Sequence, residues 1–171
     1  MPRRPTFPLK KKKYDLNECN KTELEERLKN IVYPAIKERD SDEPCISCQK
    51  IIVTKADAHA GHYGAFGYCN PALKWHPLNL NKQCNKCNTF LHSNGIEYRK
   101  GLVRKIGIEK VDMIETYYLR PMPIEFNYID WLIKTITELR VIRKKNKHWS
   151  ATLNYMEERT NKLLSSLGEN S

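Results

Sequence analysis

Two C-x-x-C pairs, Cys45 to Cys48 and Cys84 to Cys87, constrain the fold of this chain more than any other feature of its sequence. A two-residue spacer lets both thiolates of a pair reach one ion, and two such pairs complete a tetrahedral site. The alternatives are a redox dithiol, which two pairs without a βαβ pattern disfavour, and cysteines that share the core by coincidence. The pattern therefore predicts a structural zinc ion bound by Cys45, Cys48, Cys84 and Cys87.

The segment between the two pairs is longer than the roughly 15–20 residues of a compact zinc ribbon. It also has little amphipathic periodicity, so a metal ion rather than a large apolar core is expected to hold it together. We therefore interpret it as a functional insertion, closed at both ends by the metal. Cys19 and Cys69 lack partners at ligand spacing and are predicted to be ordinary buried thiols.

The charge of the chain favours a polyanionic partner. The 171 residues carry a formal net charge of +10, with an isoelectric point near 9.3. Each phosphate neutralised by Lys or Arg releases condensed counterions, which favours binding to nucleic acid. The alternative is a basic protein whose charged faces are simply solvated. No apolar run is long enough for a membrane span, and no secretory signal is seen, so we expect an intracellular protein that binds no membrane.

The chain is predicted to have three parts. Residues 1–14 form a flexible basic arm containing the run Lys10, Lys11, Lys12 and Lys13, which either lies on a phosphate backbone or is a solvated tail. Residues 15–120 form the zinc-containing domain with its flanking helices. Residues 121–171 form a helical hairpin that either packs on the core or supplies a dimer or DNA contact.

Helical periodicity is clear outside the insertion. Thr22 and Glu25 are predicted to form a capping box, and Pro34 to kink or shorten the helix that follows. Further helices are predicted over residues 96–106, 108–118 and 149–167, with another whose apolar face runs from Ile129 to Leu139.

Within the insertion, the order of polar residues resembles an HNH, or ββα-metal, nuclease motif. A histidine, then an asparagine, precedes C-x-x-C-N, and in such motifs a β-hairpin and a short helix carry these groups. Cleaving a phosphodiester needs a base that activates water and a divalent cation that stabilises the transition state. A neutral imidazole suits the first role near pH 7. Asn88 and His92, at i and i+4, are predicted to lie on one helix face and to bind one ion.

Several short motifs in the same order resemble the NinG (Rap) recombination nucleases of lambdoid phages. They include Pro44-Cys45-Ile46-Ser47-Cys48, Ala60-Gly61-His62-Tyr63, Asn79, Gln83-Cys84-Asn85-Lys86-Cys87-Asn88 and Glu97-Tyr98-Arg99. The match spans roughly residues 36–115, about half the chain. The resemblance implies an α+β fold, in which several helices surround a small ββα-metal core with a four-cysteine zinc site.

The resemblance also implies residue roles and a substrate. His62 is the implied general base and Asn79 the residue that orients it. The catalytic divalent cation, Mg²⁺ or Mn²⁺, is expected on some of His59, Asp57, Asn88 and His92. Phosphate contacts, or only a solvated helix face, are expected at Arg99, Arg104 and Lys105. NinG-like proteins act on branched DNA such as Holliday junctions and D-loops, which implies a metal-dependent endonuclease in the cytoplasm of a phage-infected or lysogenic bacterium.

Other interpretations remain open. The family has Asp where this chain has His59. His59 is either a cation ligand or a surface residue. As a ligand, its neutral imidazole would shift the preference among divalent metals. The motif is also compatible with a less selective HNH endonuclease, or with a non-catalytic zinc module that binds nucleic acid.

Overall fold

The computed structural model of the chain describes residues 15–63 and 70–168. The basic run Lys10, Lys11, Lys12 and Lys13, and Cys69, lie outside the described residues. Among the described helices, none combines the length and the apolar character needed to cross a membrane.

The first long helix, α1 (Lys21–Arg39), begins at a capping box. Asn20 is the N-cap: its side chain accepts from the Glu23 backbone N–H, and the Glu23 carboxylate accepts from the Asn20 N–H. The capping box expected at Thr22 and Glu25 is therefore wrong by two residues, because the extended backbone at Asn20 already starts the helix. The helix also does not end at Pro34 but continues to Arg39.

A two-stranded antiparallel sheet follows. Strand β1 (Ala58–His62) pairs with β2 (Leu80–Cys84), with His59 opposite Gln83 and His62 opposite Leu80. A short helix, α2 (Pro71–Trp75), and a 3₁₀ turn over Pro77–Asn79 connect them. A π-helical turn over Lys86–Phe90 and a 3₁₀ turn over His92–Asn94 follow β2. The small sheet among helices confirms the α+β class.

Four longer helices follow within the described residues: α3 (Gly95–Ile106), α4 (Ile108–Tyr117), α5 (Tyr128–Lys145) and α6 (Trp149–Gly168). Their ends lie close to the predicted ones, since each apolar stripe keeps its helical spacing up to a breaking residue. The break between α3 and α4 is at Gly107, whose positive φ of 85° suits a residue without a Cβ.

Two apolar clusters stabilise the fold. The first joins α1, α5 and α6 with β1 and β2 through Leu28, Ile36, Leu80, Leu132 and Met156. The second packs α2, α3 and α4 against the end of α6 and includes Ile46 of the first cysteine pair. The apolar faces of α5 and α6 thus share a core with α1. Of the two roles predicted for the C-terminal helices, this is packing on the core.

A buried ion cluster fixes the end of α1 to the sheet. Asp40, almost fully buried, accepts from Arg39, from Lys105 Nζ at 2.6 Å and from the Lys82 backbone N–H at 3.0 Å. Arg39 also donates to the backbone oxygens of Pro77 and Leu80. Burial alone would raise the pKa of Asp40, but the hydrogen bonds and charges of Arg39 and Lys105 lower it below its ordinary value.

Candidate metal centre and active site

The four predicted zinc ligands lie together. The Sγ atoms of Cys45, Cys48, Cys84 and Cys87 are all within 4.8 Å of one another, and Cys48 Sγ lies 3.8 Å from Cys84 Sγ. Thiolates at about 2.3 Å from a tetrahedral zinc ion lie about 3.8 Å apart, so the spacing fits such an ion. None of these cysteines is in a disulfide. The cluster could bind a metal such as zinc.

Hydrogen-bond donors surround these sulfur atoms. The Cys84 backbone N–H donates to Cys45 Sγ at 3.3 Å, and Asn94 Nδ2 donates to Cys87 Sγ at 3.6 Å. Donors of this kind stabilise negative charge on sulfur, while burial raises the pKa of Cys45. Four sulfur donors that converge at this spacing fit a soft divalent ion, which replaces their protons when it binds.

The first cysteine pair is held against the sheet and α3. The Ile46 N–H donates to Lys82 O at 3.0 Å, which joins the turn between Cys45 and Cys48 to β2. Gly101 of α3 packs on the same turn so closely that an added Cβ would lie 1.8 Å from Ile46 O. The first pair of the cysteine cluster is therefore held directly against the hairpin.

His62, the predicted general base, is the last residue of β1 and is 7% exposed. Its Nε2 lies 3.0 Å from Lys74 O, and its ring lies edge-on to Tyr33 with centroids 6.0 Å apart. Because a carbonyl can only accept, Nε2 carries the proton in this contact and Nδ1 keeps its lone pair. Burial lowers the pKa of His62 to about 4, so the imidazole is neutral at pH 7.

Asn79, the predicted orienting residue, is fully buried at the end of the 3₁₀ turn before β2. Its Nδ2 donates to Leu73 O at 2.9 Å. Leu73 precedes Lys74, whose carbonyl oxygen contacts His62. Asn79 therefore fixes the short helix that supplies the partner of the histidine.

An open cleft of about 470 Å³ lies between α1 and the hairpin. Its hairpin side includes His62 and Asn88, and its α1 side includes Glu25, Glu26 and Tyr33. Glu25 pairs with Lys74 Nζ at 2.8 Å. The cleft is thus the place where solvent and a ligand can approach the otherwise buried imidazole.

The structure brings together two of the four residues predicted for the catalytic cation. Asn88 Nδ2 lies 3.0 Å from His59 Nδ1, and both side chains are partly buried. Asp57 is exposed in the turn before β1, where its carboxylate accepts from Thr54 Oγ1 at 2.8 Å. Its role as a ligand stays a prediction.

The helical geometry expected for Asn88 and His92 is wrong. The helical turn ends at Phe90, and His92, Ser93 and Asn94 have positive φ values of 45°, 71° and 45°. Such left-handed backbone reverses the chain, so exposed His92 does not lie one helical turn after Asn88. Within residues 15–63 and 70–168, the four cysteines are the only convergent group of three or more His, Cys, Asp or Glu side chains.

The three cationic residues predicted for DNA contacts differ in their surroundings. Arg99 Nε donates to Glu115 at 2.7 Å, and Lys105 pairs with Asp40. Arg104 is exposed. Two of the three therefore have acidic partners within the fold, and their binding to DNA stays a prediction.

Sequence reasoning did not find Lys74 or Gln83. Lys74 acts through its backbone carbonyl, which any residue would supply, so no sequence signal exists. Gln83 is fully buried behind the hairpin and donates to Ser47 Oγ and Ser93 O. The available sequence signal for Gln83 was its position directly before the predicted zinc ligand Cys84.

The fold and site define a class: a mixed α+β protein with a β-hairpin and a four-cysteine cluster that could bind a metal. The model of the NinG family, described as Bacteriophage Lambda NinG protein, matches residues 6–148. This chain belongs to the NinG family.

Curated relatives agree with the family match. The chain is 38% identical over 110 residues to Protein ninG of Escherichia phage 933W, covering 64% of this chain and 48% of that protein. It is 42% identical over 85 residues to Protein ninG of Escherichia phage lambda and of Salmonella phage P22, covering 50% of this chain and 40% of each relative. The matched region thus spans about half the length of these relatives or less. No solved structure matches the chain.

Proposed function

We propose that this protein is a metal-dependent DNA endonuclease of the HNH, or ββα-metal, type. The observation that carries the proposal is His62, a neutral imidazole held by a backbone carbonyl at the edge of an open cleft. A base that is neutral at pH 7 and fixed in one tautomer is what the activation of water requires.

The residues of the cleft suit phosphodiester hydrolysis. Nε2 of His62 donates to Lys74 O, so Nδ1 takes the proton of the attacking water. Asn79 keeps the Lys74 carbonyl in place through its bond to Leu73 O. A bound divalent cation supplies charge stabilisation for the phosphate and the leaving oxygen.

The chain order supports this type of site. Strand β1 ends in His62, strand β2 ends in Cys84, and the helical turn after it carries Asn88. Amide oxygens are ligands that Mg²⁺ and Mn²⁺ accept, which makes Asn88 the first candidate to bind the catalytic cation. The four cysteines would bind a structural zinc ion.

Branched DNA is the substrate that we infer. The net charge of +10 favours a polyanion, and the resemblance to recombination nucleases favours junctions over linear duplex. Symmetric cutting of a junction would require a homodimer. The phage relatives favour action in the bacterial cytoplasm.

Cleavage of a labelled four-way junction and a matched linear duplex, with Mg²⁺ or Mn²⁺, tests this proposal. We expect the wild type to cut the junction preferentially and His62→Ala to bind it without cutting. His148→Ala is the matched control, since His148 is exposed and its ring contacts the neighbouring residues Trp149 and Ser150. Equal cutting of both substrates would favour a less selective HNH endonuclease.

A non-catalytic zinc module that binds nucleic acid is the second candidate. It is favoured by His59, which stands where the resemblance implies an aspartate. It is also favoured by exposed Asp57, which belongs to no group of three or more converging His, Cys, Asp or Glu side chains among the described residues. Binding of DNA without cleavage in any divalent metal would support it and exclude the endonuclease.

A further inference from the structure

The end of α5 and the short connection after it carry a concentrated positive charge. Five of the eight residues from 140 to 147 are Arg or Lys, and none of the eight is acidic. All five basic residues are exposed. They form the α5 basic patch, which consists of Arg140, Arg143, Lys144, Lys145 and Lys147.

The α5 basic patch lacks acidic partners within the fold. Other basic residues form ion pairs, as Lys162 does with Glu158. In the part of the chain that the structure describes, no ion pair includes a member of the patch. Glu138, the acidic residue nearest to the patch in sequence, accepts a hydrogen bond from the Tyr155 hydroxyl instead. The like charges of the patch therefore repel one another without an ion pair to offset them.

The helix dipole accounts for only a small part of this charge. The free carbonyl groups at the end of a helix amount to about half a negative charge, which favours cations in the last turn. The last turn of α5 holds Arg143, Lys144 and Lys145. Arg140 precedes that turn, and Lys147 follows the end of the helix. Five positive charges far exceed what the dipole offsets, so the patch favours an external polyanion.

Helix α5 connects the patch to the cleft. Trp75 and His62 both line the cleft, and Trp75 Nε1 donates at 2.8 Å to the hydroxyl of Tyr128, the first residue of α5. At a rise of about 1.5 Å per residue, Arg140 and Lys145 lie about 18 and 26 Å along the helix axis from Tyr128. Successive phosphates of one DNA strand are about 3.4 Å apart along the duplex axis. A duplex that leaves the cleft along this helix therefore reaches the patch after roughly 5–8 base pairs.

We propose that the α5 basic patch binds the phosphates of a DNA duplex arm, roughly 5–8 base pairs from the phosphodiester in the cleft. Arg140, Arg143 and Lys144, at i, i+3 and i+4, share one helix face and can contact neighbouring phosphates. Such contacts orient the arm without reading its sequence. The apolar stripe of α5 is buried in the core that it shares with α1 and α6, so it is not available for insertion into a lipid surface. This inference rests on the proposed function, which places the DNA in the cleft.

The salt dependence of DNA binding tests the proposal. The full zinc-loaded chain, without added Mg²⁺ or Mn²⁺, is titrated onto a labelled four-way junction with arms longer than about 10 base pairs. For Arg140→Ala/Lys144→Ala, we expect the slope of log K against log salt to become shallower by about 2. The affinity near 0.1 M salt should fall about 10- to 100-fold.

Lys100→Ala/Lys162→Ala is the matched control. It removes the same two positive charges, but from residues whose charges are already offset by Glu97 and Glu158. Its salt slope should stay close to that of the wild type. Alanine is the most favourable residue in a helix, so α5 should persist in the Arg140→Ala/Lys144→Ala variant. Arg140→Lys/Lys144→Arg keeps both charges and should retain the wild-type slope.

The position of the contact on the DNA is tested by replacing phosphates with neutral methylphosphonates, a few at a time, along one arm. We expect wild-type binding to weaken when the replacements fall within one window of the arm. That window should disappear in the Arg140→Ala/Lys144→Ala variant, because the charges that contact those phosphates are gone. A window that persists in this variant would assign the contact to other residues and overturn the proposal.

Three further results would overturn the proposal. An unchanged salt slope in Arg140→Ala/Lys144→Ala would show that the patch is only solvated, and an equal change in the control would show that only net charge acts. Binding to anionic phospholipid vesicles that requires the patch, with DNA binding unchanged, would assign the surface to a membrane. Because binding is measured without Mg²⁺ or Mn²⁺, each of these results leaves cleavage by the wild type as a separate test of the endonuclease.

Discussion

Asn79 fixes the peptide next to the one that holds His62. Its Nδ2 donates to Leu73 O, while the following carbonyl, Lys74 O, lies 3.0 Å from His62 Nε2. The side chain of Asn79 thus helps to orient the imidazole of His62 on β1.

Asn79→Ala should slow cleavage while it preserves DNA binding. Loss of the bond to Leu73 O frees the short helix and the carbonyl that orients His62, which we expect to lower the single-turnover rate about 10- to 100-fold. Asn161→Ala is the matched control, because Asn161 contacts the buried His76 ring instead. An unchanged rate for Asn79→Ala would show that His62 is oriented without it.

The pH dependence of cleavage should reflect the burial of His62. Burial lowers its pKa to about 4, so the base is deprotonated at every pH well above 4. As the pH falls, we expect the single-turnover rate to fall near pH 4 rather than near 6.5. Rates measured from pH 4 to 8 check this, and a midpoint near 6.5 would indicate a solvent-exposed base.

Removal of zinc should unfold the hairpin region. Cys48→Ser removes one ligand of the cluster, and we expect loss of bound zinc together with a lower melting temperature. Cys19→Ser is the control, since Cys19 lies outside the cluster. Elemental analysis that finds one zinc ion per wild-type chain and per Cys19→Ser chain would agree with the site. Zinc retained by the Cys48→Ser chain would contradict the site.

Gly101→Ala should destabilise the fold. The new methyl group would lie 1.8 Å from Ile46 O, so α3 would have to move away from the cysteine turn. We expect a loss of about 1–3 kcal/mol in the free energy of unfolding. Gly95→Ala, at a position with no heavy atom within 4 Å, should have little effect. Denaturant unfolding compares the two variants, and equal stability would contradict the close packing.

Asp40→Asn should also destabilise the protein, in a pH-dependent way. The change leaves Arg39 and Lys105 without their buried acidic partner, at a cost of about 3 kcal/mol near pH 7. Because the folded-state pKa of Asp40 is lowered, its contribution is present above its ordinary pKa and is lost as the pH falls below it. The difference between variant and wild type should therefore shrink in acid.

Glu97, whose side chain is about half exposed, provides the control for this prediction. Its pair with Lys100 is solvent-exposed, and Glu97→Gln should change stability by less than about 1 kcal/mol. A similar loss of stability in both variants would mean that the burial of Asp40 contributes nothing to the free energy of unfolding.

The features predicted from sequence are those set by local spacing. The cysteine pairs and the helices from residue 95 onward are near the predicted positions, because ligand spacing and apolar periodicity are local properties. The capping box was misplaced because both Asn20 and Thr22 are good N-caps three residues before a glutamate.

The features missed depend on contacts between distant residues. Arg39 finds its partners in Pro77 and Leu80, and His62 finds a backbone carbonyl of Lys74, neither of which leaves a pattern in the sequence. The turn over His92–Asn94 was missed because three consecutive left-handed residues without glycine are rare.

The position of the second cysteine pair has a consequence for the order of assembly. Cys84 ends β2, and Ile46 of the first pair bonds to Lys82 of the same strand, so closing the cluster also closes the hairpin. A chain emerging from the ribosome cannot complete this connection until Cys87 has been synthesised and an ion captured. Under the proposed function, capture of the ion would then be the step that makes the newly made protein active.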